Sequence, residues 1–180
     1  MKNSTLAKAM AMPTAALLAL AGCATATEPS RGVMLTPLIN STGQVIGSVR
    51  LWETPGAVTL RVLGTALPVG MHGLHVHSVG RCDTPDFASA GPHWNPGERK
   101  HGLQNPGGFH AGDLVNVPVA ANGALGETVT VAGASFAGLN DADGSALVLH
   151  AAADDYRTDP SGNSGARIAC AVLSAAVPAK

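Results

Sequence analysis

The stretch VIGSVRLWETPGAVTLRVL, Val45 to Leu63, reads as two strands and the reversal between them. Apolar and polar residues alternate from Val45 to Trp52 and again from Val58 to Leu63, the period of a strand with one buried face, and Pro55-Gly56 supplies the turn. The same pattern extends outward. Val33 to Ile39 precedes a Ser-Thr-Gly turn, and Gly73 to Ser78 follows Pro68-Val69-Gly70. Later come Asp113 to Val119, Leu125 to Val131 after Asn122-Gly123, Ala146 to His150 and Ala166 to Leu173. Only Ser135 to Leu139, beyond the first 22 residues, has the makings of a helical turn. Eight short strands without repeats predict an all-β domain, a closed barrel or sandwich of antiparallel strands.

Composition agrees. The chain has 180 residues, 22 Gly, 12 Pro, 13% charged and 3% aromatic residues, a loop-rich globular balance for one domain. A formal net charge of -1, no run of Lys or Arg and no Arg-aromatic platform argue against nucleic acid as a partner.

Residues 1–22 differ in kind: Lys2 and Lys8 precede an uncharged apolar stretch, Ala9 to Gly22, too short to span a bilayer and laid out as an export signal. It ends in Leu20-Ala21-Gly22-Cys23, which resembles the bacterial lipoprotein box, so Cys23 is the expected lipidation site. An ordinary signal cut within Ala24 to Thr27 is the alternative. Residues 23–31 then form a linker and 32–180 the functional domain. Both readings place the protein in the periplasm or cell envelope, and lipidation anchors it to a bacterial membrane. Export leaves Cys82 and Cys170 as an even pair in an oxidising compartment, where a disulfide is expected. Two buried thiols or two metal thiolates are the alternatives.

One segment breaks the strand pattern. GPHWNPGERKHGLQNPGGFHAG, Gly91 to Gly112, holds six Gly and three Pro in 22 residues, and three of the chain's seven histidines. A loop this long in a compact domain needs an organiser, and the histidines point to a metal. His75 and His77, two apart in a strand, project from one face. His93, His101 and His110 lie in the loop, Asp113 just beyond it, and His150 ends a later strand. Imidazoles with one carboxylate suit copper and zinc, and six histidines with an aspartate exceed what one ion needs.

The blocks GLHVHSVGRC, GPHWNP, HAGDLVNV, LVLHAAADD and GNSGARIAC, in this order and at compatible spacing over residues 32–175, resemble the copper/zinc superoxide dismutase family. The resemblance implies an eight-stranded antiparallel Greek-key β-barrel, a sandwich of immunoglobulin-like type, with long metal-binding loops. It implies copper on His75, His77, His93 and His150, and zinc on His93, His101, His110 and Asp113, with His93 bridging the two. Asp154 would tie the outer nitrogens of a copper-binding and a zinc-binding histidine, and His72 would bond to backbone beneath the copper. Cys82 and Cys170 would hold a loop so that Arg167 stands near the copper, where Arg167 and His93 act on superoxide, the small anionic substrate. The implied products are oxygen and hydrogen peroxide, and a homodimer is possible within the family. Two departures stand out: His150 to Cys170 is shorter than in eukaryotic members and lacks their charged run, and Cys82 to His93 is longer. Two further readings are a non-catalytic metal-binding or copper-delivery protein on the same barrel, and a barrel that only contacts a cell-surface partner.

Overall fold

Apart from Met1, the structure, a computed structural model, describes residues 31–174. The export signal and Cys23 lie outside them. The elements are β1 (Arg31–Asn40), β2 (Val45–Thr54), β3 (Ala57–Gly64), β4 (Gly70–His72), β5 (Leu74–His77), β6 (Val117–Val119), β7 (Leu125–Ala132), α1 (Phe136–Leu139), β8 (Ser145–His150) and β9 (Arg167–Ser174). All pairings are antiparallel, in a seven-stranded sheet of order β5-β8-β9-β1-β2-β3-β7 and a two-stranded ribbon of β4 and β6.

The all-β antiparallel expectation holds, but nine strands form among the described residues where eight are expected. The additional strand is Gly70–His72, which precedes the expected run from Gly73 to Ser78 and begins in what reads as its turn. Gly73 donates its N–H to the Ala152 carbonyl at 2.8 Å instead of to a sheet neighbour, so β4 pairs with β6 while β5 joins β8. The run from Asp113 to Val119 shrinks to Val117–Val119, because Asp113 closes a turn onto the His110 carbonyl at 3.0 Å and turns its carboxylate to the loop histidines. Ser135 caps the short helix by accepting the Gly138 N–H at 3.0 Å.

Alternation builds the interior. Val58, Leu60 and Val62 of β3 face Val49 and Leu51 of β2 and Val129 and Val131 of β7 in one apolar cluster. Each fully buried leucine there contributes about 1.5–3 kcal/mol in transfer free energy. β8 is buried along its whole length because it has two covered faces. Leu147 and Leu149 enter the main core, while Ala146 and Val148 pack with Phe87, Ala90 and Cys170 under the segment that Cys82 begins. The disulfide between Cys82 and Cys170 forms, with Cα atoms 5.7 Å apart, so the free-thiol and thiolate alternatives fall away. β5 follows the same rule: Leu74 and Val76 enter the core, and His75 and His77 face outward beneath the Gly91–Gly112 loop.

Candidate metal centre

The loop closes over β5 through main-chain bonds. Trp94 N–H donates to the Val76 carbonyl at 2.8 Å, and Val76 N–H donates to Gly112 O at 2.9 Å, so both ends of the loop dock on the strand that carries His75 and His77. His150 comes from the end of neighbouring β8. Two groups of buried ligating atoms result, His75-His77-His93-His150 and His93-His101-His110-Asp113, each with its atoms within 4.8 Å of one another. His93 belongs to both.

The first group is defined by four buried nitrogens without hydrogen-bond partners: Nδ1 of His75 and Nε2 of His77, His93 and His150. Leaving such atoms unsatisfied in a folded interior is costly, and four in one place fit a metal that accepts their lone pairs. The opposite ring nitrogens are engaged. His77 Nδ1 donates to the Gly91 carbonyl at 2.8 Å, and His150 Nδ1 to the Gly165 carbonyl at 3.2 Å. These bonds fix the tautomers so that lone pairs face inward. Burial, with neighbouring imidazoles adding to it, lowers the pKa of His77 to about 2 and, together with His75, that of His150 to about 3. Both rings are therefore neutral at ordinary pH, the form a metal binds.

In the second group, Asp113 Oδ1 lies 2.8 Å from His93 Nδ1 and 3.1 Å from both His101 Nδ1 and His110 Nδ1. His110 Nδ1 and His93 Nδ1 are 3.4 Å apart. Ligands about 2.0–2.1 Å from a tetrahedral ion stand about 3.3 Å from each other, so this quartet fits zinc. Asp113 Oδ2 accepts the main-chain N–H of Gly102 at 2.8 Å and of His110 at 3.1 Å. Burial opposes its charge, yet His101, His93 and the Gly102 N–H hold the carboxyl well below the usual carboxylate range. Gly102 has φ +106°, and a β-carbon there would strike the main chain of Tyr156.

Asp154 joins the two groups from behind. Its Oδ2 accepts from His75 Nε2 at 2.7 Å and its Oδ1 from His101 Nε2 at 3.1 Å and from Tyr156 N–H at 2.6 Å. Asn116 grips Asp154 through its main chain, donating Nδ2 to the Asp154 carbonyl at 2.9 Å and accepting its N–H on Oδ1 at 2.8 Å. Both nitrogens of His72 sit 2.8 Å from carbonyl oxygens, those of His150 and Pro68, and neither belongs to a ligating group.

An open cleft of about 950 Å³ reaches the first group through His77, His93 and His150, with Arg167 also on its wall. Arg167 Nη1 donates to Phe87 O at 2.6 Å and Nη2 to Gly91 O at 2.7 Å. The Gly91 carbonyl thus holds both the guanidinium and the His77 ring. Every site residue expected from the sequence within the described region is brought together. Nothing in the sequence marks the roles of Asn116, Phe87 and Gly91: the last two act through main-chain carbonyls, and Asn116 sits within HAGDLVNV with no sign of its partner.

Residues 45–173 match the family model described as copper/zinc superoxide dismutase. The chain is 40% identical over 142 residues to "Superoxide dismutase [Cu-Zn] 1" of Aquifex aeolicus, covering 76% of this chain and 84% of that protein. Among solved structures, a SOD-like protein from Bacillus subtilis superposes with a TM-score of 0.74 at 38% identity, covering 77% of this chain and 97% of that one. The Cu/Zn superoxide dismutase from Brucella abortus gives 0.67 at 29% identity, covering 79% and 99%. With a family match across most of its length and relatives of this identity and coverage, the chain belongs to the copper/zinc superoxide dismutase family.

Proposed function

We propose that this protein disproportionates superoxide to oxygen and hydrogen peroxide, with copper held by His75, His77, His93 and His150 and zinc by His93, His101, His110 and Asp113. The carrying observation is the set of four inward-facing, unsatisfied nitrogens beside Arg167, one of them on a ring whose other nitrogen belongs to a zinc-type quartet. When bound, copper supplies reversible one-electron chemistry and zinc a fixed positive charge. The chain supplies the rest. Arg167, held by two carbonyls, presents a fixed cation that draws a small anion into the cleft. His93 Nδ1 is committed beside Asp113, so its Nε2 is the ring atom at which a proton can be held facing the cleft. Asp154 keeps His75 and His101 in the required tautomers.

Metal analysis with a superoxide assay tests this reading. Copper and zinc each bound once, with turnover abolished in His77→Ala, supports it. Two bound metals without turnover in the unaltered protein favour a non-catalytic metal binder instead. We place the enzyme in the periplasm or cell envelope, lipid-anchored through Cys23, on the strength of the signal-like segment and lipoprotein box. Labelled fatty acid should enter the unaltered chain and not Cys23→Ser. A homodimer enters the reading only through the family resemblance, and sedimentation tests it.

A further inference from the structure

The two ends of the barrel differ in charge. One end gathers the start of β1, the β2–β3 turn, the end of β7 and α1: Arg31 pairs with Glu53, Ala57 with Ala132, and Gly133 N–H reaches the Gly56 carbonyl at 2.8 Å. Leu51 to Leu60 carry a single charge, Glu53, and Thr128 to Asn140 carry none. Pro55, Gly133 and Ala137 are exposed there, and Met34 and Leu35 flank the end at 45% and 72% exposure. An apolar cleft of about 340 Å³ opens beside them between Met34, Phe136 and Leu173. Asp141 and Asp143 mark the rim, in the turn before β8. The metal cleft lies toward the other end, where Ser41 follows β1; Asp86 and Arg167 line it, and Asp159, paired with Lys100 at 3.2 Å, precedes its lining residue Pro160.

Chain reach adds a constraint. From Cys23 to Arg31 there are eight residue steps, which span at most about 28 Å. β1 runs nine steps from Arg31 to Asn40, about 30 Å. Pressing the metal end against a bilayer that holds Cys23 would therefore need a fully stretched spacer folded back along the barrel.

We infer that the uncharged end, formed by the Thr54–Ala57 turn and the Gly133–Leu139 segment, is the face this protein turns to a phospholipid bilayer, with the metal cleft pointing away from it. This rests on lipidation of Cys23. The turn and the segment carry no charged residue and leave Arg31, Glu53, Asp141 and Asp143 at their margins, so this face apposes a zwitterionic membrane at lower desolvation cost than one that presses Asp86, Arg167 and the Lys100–Asp159 pair against it. The cleft then receives its anion from the aqueous side.

The test uses full-length acylated protein reconstituted in phosphatidylcholine vesicles, with a fluorophore on Ala137→Cys at the uncharged end or on Gln44→Cys at the other. Headgroup-nitroxide lipid should quench the label at 137 about threefold or more strongly than that at 44, the two lying at ends about 30 Å apart. Retained superoxide turnover in both variants shows an intact barrel. Equal or reversed quenching in protein that floats with the vesicles overturns the orientation alone. Failure of the unlabelled protein to float overturns the anchor and the orientation together.

Discussion

Replacing Asp154 by Asn should weaken copper binding and largely spare zinc. The carboxylate accepts three hydrogen bonds: from His75 on Oδ2, and from His101 and the Tyr156 N–H on Oδ1. An asparagine keeps one acceptor. It is retained best where two donors already meet, which puts the amide NH₂ against His75 Nε2–H. Two donors then face each other in a buried place. His75 escapes by moving its proton to Nδ1, the atom that must offer a lone pair to the first metal group. A lost charge-assisted hydrogen bond costs about 1.5–3 kcal/mol, or about 10- to 150-fold in copper affinity at about 1.4 kcal/mol per decade. Zinc affinity should stay within about threefold, since His101 keeps its partner. Chelator-competition titration of metal-free protein with each ion reads both values. Equal loss at the two sites, or none for copper, refutes the account of Asp154 as the group that sets the His75 tautomer.

Metal-free protein should take up zinc about tenfold more tightly per pH unit from 6 to 9. Burial opposes charge on His101, but hydrogen bonds to Asp113 and Asp154 outweigh it and raise its pKa to about 9, so a proton must leave before the ion binds, and a flat profile would contradict this. Arg167→Ala should lower kcat/KM for superoxide and flatten its fall with ionic strength, with Arg167→Lys recovering part of the rate because one ammonium cannot span the Phe87 and Gly91 carbonyls; stopped-flow turnover against salt measures it. Cys82→Ser with Cys170→Ser should cost about 4–5 kcal/mol in unfolding free energy on chain-entropy grounds for an 88-residue separation, read by denaturant titration. Gly162→Ala should reduce binding of both metals, because the added carbon at φ +63° runs into the Asp154 carboxylate and lies 2.7 Å from His101 Nε2; elemental analysis of purified protein tests it.

Much of this site is legible in the residues because its logic is side-chain logic. The alternation Leu74-His75-Val76-His77 states that two imidazoles leave the core together, and the Gly- and Pro-rich loop announces a segment needing an external organiser. What escapes is carried by the main chain. Gly73 looks like the first residue of a strand until Ala152 captures its N–H and it becomes the break between β4 and β5. Asp113 reads as the head of an extended run, yet two N–H donors and three imidazoles gather on its carboxylate while its own N–H turns back to the His110 carbonyl. Asn116 holds Asp154 from 38 positions away, a pairing that no local period encodes. Phe87, at φ 56°, contributes a carbonyl, a group every residue has.

The bridge between Cys82 and Cys170 reaches beyond the folded state's resistance to denaturant. It pins one end of the segment whose carbonyls at Phe87 and Gly91 aim the guanidinium and the His77 ring. Without that bond the segment would keep only its main-chain hydrogen bonds, such as Phe87 N–H to Asp83 O at 3.0 Å, and the packing of buried Phe87. Closing the Cys82–Cys170 bond and aiming Arg167 and the His77 ring thus depend on one stretch of chain, tied by sulfur at its start and by two carbonyls further along.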